Sequence, residues 1–460
     1  MVRVDPSISA ISLRSRLERL FELSAAKIRS IDRDWNSADG SPVFTVRGRY
    51  TAQGWTEWTE GFMYGSALLQ FDATGEPWFL DYGRRSTIER MAPHLTHFGV
   101  HDHGFNNIST YGNLLRLGRE NKLAFQPFET EFYKLALKVS GAVQAARWSR
   151  IRDGRGYIYS FNGPHSLFAD TLRSLRALAV AHRLGHALVE ENDHSVSLLE
   201  RLVQHASVTA EFNVYYGEGR DAYDVRGRVA HESIFNVKDG SYRCPSTQQG
   251  YSPFSTWTRG LAWIICGYAE ELEFLETAPE DDFENFGAYD PTVRLMLRAA
   301  CAAADYYLEE AAEDGIPYWD TAAPNLSKLG DWKHQRSDPF NQAEPVDSSA
   351  AAIAAQGLWR LARYLNRPGR EPERATRYRL AALTIADTLF SEPYLSADSC
   401  HQGLILHSVY HRPCGWDYVP AGRRVPSGES SMWGDYHARE LGLLLLREIR
   451  QEPYYAFFDV

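Results

Sequence analysis

The segment His101-Asp102-His103-Gly104-Phe105 sets one carboxylate between two imidazoles, so Asp102 has proton partners on both sides. Asp102 equally suits a helix N-cap, whose oxygens accept backbone N–H groups; taken alone, that is the more frequent use of an Asp there. A second carboxylate, Asp170, falls in a stretch that reads as a helix over 165–187. In that helix Leu167, Phe168, Leu172, Leu175 and Leu178 cover two sides. A third stripe of Ser166, Asp170, Ser174, Ala177 and Ala181 runs between them at helical spacing. Such a stripe suits a cavity wall from which Asp170 projects, and Arg173 and Arg176 then read as the water-facing side. A buried Asp beside a second carboxylate is expected to hold its proton above the usual value of about 3.9. That is what a general acid working at neutral pH requires.

A third cluster runs from Gln249-Gly250-Tyr251 through Ser255-Thr256-Trp257-Thr258-Arg259-Gly260-Leu261-Ala262-Trp263. Arg259 can fork onto a carboxylate, and Trp257 and Trp263 can offer flat faces to a sugar ring. The plainer alternative is a core Trp pair beside a surface Arg. His205 lies three residues after Leu202 on the apolar side of its helix, where a lone His is more often a satisfied core residue than a catalyst.

Helical periodicity recurs along the chain. Twelve helices are expected, near 10–35, 60–72, 83–97, 104–119, 127–147, 165–187, 191–209, 256–275, 290–312, 348–366, 372–390 and 430–448. No fixed repeat and no Gly/Ser linker divides them, so one all-α domain over 1–460 is expected. Six helical hairpins closed into an (α/α)6 barrel would use all twelve; an irregular helical domain or an open solenoid is the alternative. Three long stretches, 210–255, 313–347 and 391–429, are dense in Gly, Pro, Asp, His and aromatics. Loops of that length are usually functional or disordered, and their rings favour the former. They could wall one mouth of a barrel.

The 460 residues include 44% hydrophobic side chains, enough for a large core. A net charge of -10 and pI near 5.9 leave no basic stripe for nucleic acid. Five scattered cysteines, with no C-x-x-C pair, fit a reducing compartment better than a disulfide framework or a zinc site. With no apolar stretch of spanning length and a polar start, the protein is expected in the cytoplasm, with no membrane partner. Aromatics at 13% favour sugar binding only slightly.

Read together and in order, these segments resemble the unsaturated glucuronyl hydrolases and, less closely, the unsaturated rhamnogalacturonyl hydrolases. The matching pieces are Gly61-Phe62, the Asp102 and Asp170 segments, His205-Ala206, Asp239-Gly240-Ser241 and the Gln249 to Gly260 run. Asp314 to Asp320, Asp347 to Ala351 and Ser430 to Tyr436 complete them, so the resemblance spans most of the chain. It implies an (α/α)6 barrel that needs no metal or cofactor. It also implies a substrate oligosaccharide ending in a 4,5-unsaturated uronic acid, whose C4=C5 bond is hydrated so that the sugar leaves as a keto acid. By matching positions, Asp170 is implied as proton donor and then base, with Asp102 as the supporting carboxylate. His205, Gln249 and Arg259 are implied as contacts to the unsaturated sugar, and Trp257 and Trp263 as its platform. His101 and Phe161 complete the expected substrate contacts. The chain departs from the family pattern at Met63, Phe161, Ser174 and Leu261, changes expected to cluster on the sugar-binding side. Arg423-Arg424 could meet a sulfate or a second uronate, although a solvated pair is the commoner use.

Two other readings compete. An inverting glycosidase on the same barrel needs a second carboxylate roughly 6.5–9.5 Å from the first, for which Glu429, Asp320 or Asp435 are candidates. A sugar epimerase would rely on paired histidines, His205 and His407, and a non-catalytic sugar-binding barrel on neither. Nothing in the residues fixes an oligomeric state.

Overall fold

The computed structural model describes residues 1–54, 57–124, 126–283 and 289–459, with the side chain of Ser37 left aside. Its helices, in chain order, are α1 (Arg14–Asp34), α2 (Glu60–Thr74) and α3 (Pro77–Arg90). Next comes α4, in which His103–Asn107, a wide turn at Ile108–Gly112 and Asn113–Arg119 run on as one rod, and then α5 (Pro127–Ala146). A kinked α6 follows, made of Thr171–Ser174 and Arg176–Arg183, and then α7 (Leu198–Phe212), α8 (Thr258–Leu275) and α9 (Tyr289–Glu310). The last three are α10 (Ser348–Leu365), α11 (Pro372–Leu389) and α12 (Met432–Arg450).

Two rings follow from what each helix buries. Every residue of α8 is buried, and all of α10 except Arg363, so these helices face protein all round. The outer α1 instead buries only a stripe of Leu17, Leu20, Phe21, Ser24, Ile28 and Ile31, with Lys27 beside them. The inner helices contact one another in a closed circuit: α2 on α4, α4 on α6, α6 on α8, α8 on α10, α10 on α12, and α12 back on α2. On the outside, α3 backs α2, α5 and α7 back α6, α9 backs α8 and α11 backs α10, while α1 packs on both α2 and α12. This is the (α/α)6 barrel. Its hydrophobic core is continuous from Val2 to Phe458. Among the described residues, no helix is long and apolar enough to cross a membrane.

Local signals place most helix ends. Pro77 and Pro127 sit in the first turns of α3 and α5, and Gln126 and Glu129 form a capping box on α5. Gly75 closes α2 with φ 72°, a left-handed turn that a side chain would resist. Asp347 caps α10 by accepting from Ser349 N and Ala350 N. The remaining chain forms small antiparallel pairings, among them a three-stranded sheet of Ser166–Phe168, Glu232–Phe235 and Tyr242–Ser246.

The expected helix over 165–187 is only partly a helix. Its first residues, Ser166–Phe168, pair with Glu232–Phe235, so Asp170 stands at the start of α6 and not on a stripe along it. The helix expected at 191–209 begins at Leu198, because Ala187–Val189 and Ser195–Ser197 pair as a hairpin. That expected at 83–97 starts earlier, at Pro77, runs to Arg90 and resumes for one turn over Ala92–Leu95. Arg173 and Arg176 are not a water face: both are fully buried, ion-paired to Glu270 of α8 and Glu440 of α12.

Candidate active site

Asp102 and Asp170 meet at one end of the barrel, on either side of a single imidazole. His101 Nε2 lies 3.4 Å from Oδ1 of Asp102 and 3.4 Å from Oδ1 of Asp170. It directs a well-formed hydrogen bond to neither, and Asp170 Oδ1 has no hydrogen-bond partner among the described residues. All three residues are buried. Asp102 precedes α4 but does not cap it with its side chain, so the structural use of an Asp there does not apply. The other neighbouring imidazole, His103, turns away into the core, with Nδ1 against Ser140 Oγ and Nε2 against the His97 carbonyl. Burial pushes its pKa down to about 4, so it is neutral.

The two carboxyls differ in pKa. Burial pushes Asp102 up to about 6, against the pull of His101 and with some help from the Asp170 charge. For Asp170 burial acts in the same direction, but His101, His231 and Arg259 outweigh it and hold its pKa below the ordinary value. The rise expected for Asp170 therefore falls on Asp102. Burial would strip the charge from His101, yet the two carboxylates raise its pKa above the usual imidazole value.

Two further histidines face this trio. His205 Nδ1 accepts from Ile158 N at 3.0 Å, which leaves the proton on Nε2, where no described residue takes it. Burial lowers its pKa to about 3, so the ring stays neutral. His231 repeats the arrangement. Its Nδ1 accepts from Gln248 N at 3.1 Å, its Nε2 has no partner among the described residues, and burial lowers its pKa. Both rings thus carry a buried N–H beside Asp170. His231 was missed from the sequence. It lies in the 210–255 stretch, but a single His in a loop has no spacing to mark it.

Arg259 is buried and almost wholly engaged within the protein. It donates to Asp347 Oδ2 at 2.9 Å, Gln249 Oε1 at 2.6 Å, the Tyr410 carbonyl at 2.7 Å and the Val409 carbonyl. The carboxylate in its fork is therefore Asp347, and the surface-Arg alternative fails. Because Gln249 Oε1 is held by Arg259, the amide N–H₂ is the end of Gln249 left to meet a ligand. Trp257 and Trp263 are 3% and 2% exposed, which makes them floor and not an open platform. Trp257 packs on the His231 ring at 4.6 Å and under Arg259 at 4.5 Å. Trp263 packs on Phe105 at 4.8 Å and His437 at 5.0 Å. Trp58 and Tyr410, unmarked in the sequence, extend the aromatic wall over Phe105 and Trp433.

Phe161 is the open ring. It is 49% exposed and stacked on His101, with centroids 6.0 Å apart and planes 18° from parallel. The other three departures are buried in the protein interior. Met63 is buried against α1 beside Ile28 and Ile31, Leu261 is in the core, and Ser174 Oγ accepts from Gly104 N at 2.7 Å. Arg423 donates to the Asn341 carbonyl and packs on Phe340.

The rival partners are occupied elsewhere. Glu429 accepts from Thr45 Oγ1, Arg47 N and Gly48 N. Asp320 accepts from Tyr251 N, Ser255 Oγ and Ala322 N. Asp435 accepts from Tyr50 Oη, Ser430 Oγ and the amides of Leu404 and Ile405. His407 Nδ1 accepts from Gly428 N, and its ring packs on Phe340 and Tyr394. No group of His, Cys, Asp and Glu among the described residues has the arrangement of a metal site.

No model of a known protein family matches the chain. It is 26% identical over 426 residues to the unsaturated glucuronyl hydrolase of Bacillus sp. (strain GL1), covering 91% of this chain and 92% of that protein. It is 24% identical over 387 residues to the unsaturated glucuronyl hydrolase of Formosa agariphila, covering 84% and 78%. The solved unsaturated glucuronyl hydrolase from Bacillus sp. GL1, responsible for the degradation of glycosaminoglycan, shares the fold with a TM-score of 0.68. That match has 22% identity and covers 95% of this chain and 98% of the other.

Proposed function

We infer that this chain is a member of the unsaturated glucuronyl hydrolase family and removes a terminal 4,5-unsaturated uronic acid from oligosaccharides by hydrating its C4=C5 bond. The observation that carries the reading is the trio itself: two buried carboxylates sharing one imidazole, walled by aromatic rings and faced by two neutral histidine N–H groups.

The chemistry assigns each group a task. An enol ether is protonated on carbon only by a well-placed acid. Asp170 Oδ1, with no hydrogen-bond partner among the described residues, is the oxygen that reaches C4. The proton comes to it from His101 Nε2 at 3.4 Å, which leaves His101 neutral. As C4 takes the proton, positive charge spreads over C5 and the ring oxygen, and the Asp102 carboxylate stabilises it. Asp170, again ionised, accepts a proton from the water that adds to C5. The resulting hemiketal opens, the bond to the leaving sugar breaks, and the uronate departs as a keto acid. No covalent enzyme intermediate, metal or cofactor is needed.

Binding follows the same geometry. His205 and His231 offer N–H groups, and Gln249 offers its amide, to the uronate carboxylate and hydroxyls. Arg259 acts through Gln249 by fixing which end of the amide faces the sugar. Trp257 and Trp263 form the floor beneath, and Phe161 stacks on the next residue at the mouth. We place the protein in the cytoplasm, where its five free cysteines would stay reduced.

The test uses lyase-generated unsaturated disaccharides and follows the ultraviolet absorbance of the conjugated ene-carboxylate. Loss of absorbance with formation of a keto acid, abolished by Asp170→Asn, is expected. The reading fails if no unsaturated uronate is consumed, or if Asp170→Asn acts at the wild-type rate.

A further inference from the structure

The segments carrying the two carboxylates pack together, and at one contact the approach is too close for any side chain but hydrogen. Gly104 lies two residues after Asp102, and Ser174 lies four after Asp170. Gly104 N donates to Ser174 Oγ at 2.7 Å, and both residues are buried. A Cβ on Gly104 would stand 2.2 Å from the Ser174 carbonyl oxygen, so only glycine lets the backbones approach this far. The Gly104 carbonyl is held as well, accepting from Arg176 Nη2 at 3.2 Å.

Arg176 and Arg173 flank Ser174, and both are anchored beneath it. Arg173 Nε lies 2.8 Å from Glu270 Oε2, and its Nη2 lies 3.1 Å from Glu440 Oε2. Arg176 reaches the same two carboxylates at 3.5 and 3.9 Å. Glu270 belongs to α8 and Glu440 to α12, so the buried charges tie α6 to two other inner helices. Buried arginines are costly unless paired, and these pairs hold α6 against α8 and α12. Of the two, Arg176 also holds Gly104.

We propose that Ser174 and Arg176 are positioning residues that set the separation of Asp102 and Asp170 through their grip on Gly104, so that one imidazole can serve both carboxylates. The inference rests on the hydration reading for its kinetic arm only, because its second arm needs no substrate. Ser174→Ala removes the acceptor and leaves packing nearly unchanged, whereas Ser174→Thr keeps the hydroxyl. Gly104→Ala is avoided, since it would force the backbones apart and could block folding.

The experiment measures steady-state kinetics on an unsaturated disaccharide, thermal unfolding, and the nuclear magnetic resonance titration of His101 in the substrate-free protein. Ser174→Ala is expected to lower kcat between about ten- and a hundredfold with KM within about twofold, as a small misplacement of reacting groups does. Its His101 titration should move toward the ordinary imidazole value, because a looser trio surrounds the ring with less negative charge. Ser174→Thr should restore both. Wild-type kcat and an unmoved His101 titration in Ser174→Ala would overturn the proposal. So would equal impairment of both variants, which would assign the effect to packing. If the wild type is inactive on every unsaturated uronate while the His101 shift is still seen, the hydration reading fails and the clamp stands.

Discussion

His101 Nε2 stands 3.4 Å from Asp170 Oδ1 and as far from Asp102 Oδ1, so a single ring lies between two buried carboxylates that differ in pKa. Asp102, pushed up to about 6 by burial, is the carboxyl that gains a proton first as pH falls. Below pH about 6 it loses the negative charge that stabilises the cationic transition state. The kcat/KM profile is therefore expected to drop on the acid side with a midpoint near 6. On the alkaline side it should drop as His101 gives up its proton, above the usual imidazole value. A pH series on wild type and Asp102→Asn checks this. The acid limb should vanish in the variant, whose rate is low throughout, and an unchanged limb would reassign it.

Phe161 is the half-exposed ring at the mouth, stacked on His101 on its inner side. Phe161→Ala is expected to raise KM about three- to tenfold, the worth of one aromatic contact, with kcat within about twofold. Steady-state kinetics on a disaccharide and a longer oligosaccharide would show it. A fall in kcat with KM unchanged would instead mean that Phe161 positions His101.

Among the described residues, nothing accepts the buried His231 N–H that stands beside Asp170. A hydrogen bond to a charged carboxylate is worth about 1.5–3 kcal/mol. His231→Ala should thus lower kcat/KM by about ten- to a hundredfold while the protein unfolds close to the wild-type temperature. Activity within twofold of wild type would remove His231 from the site.

Asp72 contributes to stability far from the chemistry. Its oxygens lie 2.8 Å from Arg116 Nη2, 2.7 Å from Lys122 Nζ and 2.6 Å from Arg447 Nη2. Burial would raise its pKa, but the three cations outweigh burial and hold it well below the usual carboxylate range. Because the folded value is depressed, the contribution is fully present above the unfolded value of about 3.9 and is lost as pH falls below it. Asp72→Asn leaves Arg116 and Arg447 to Glu120 and Lys122 to Glu452, so three cations share two carboxylates, and it is expected to cost about 3 kcal/mol at pH 7. Denaturant unfolding should show a gap from wild type that stays constant down to about pH 4 and narrows below it. A gap that widens in acid would contradict the sign.

The helices that pack as complete rods were legible in the sequence. α8, α10 and α11 stand within about two residues of their expected bounds, because each joins a long apolar pattern to a clear start signal such as Asp347 or Pro372. The Asp102 and Asp170 segments, read as a pair in the sequence, do converge on His101 in the fold. What was not legible depends on distant partners. Arg173 and Arg176 read as solvent-facing, since nothing local announces Glu270 and Glu440. Ser166–Phe168 read as helix because its strand partner is more than sixty residues away. Arg259 read as a free fork, yet Asp347, Val409 and Tyr410 close around it from two later loops. The order of the two carboxyl pKa values was missed for the same reason: His231 and Arg259 converge on Asp170 only in the fold.

The central claim is that water adds to C5 of an unsaturated uronate and that the anomeric carbon is not attacked. Digestion of an unsaturated disaccharide in heavy-oxygen water and, separately, in deuterium oxide tests it directly by mass spectrometry and nuclear magnetic resonance of both products. The account predicts deuterium at C4 and heavy oxygen at C5 of the released keto acid, with neither label built into the leaving sugar's carbon frame. Heavy oxygen on the anomeric carbon of a uronic acid that keeps its C4=C5 bond would contradict it.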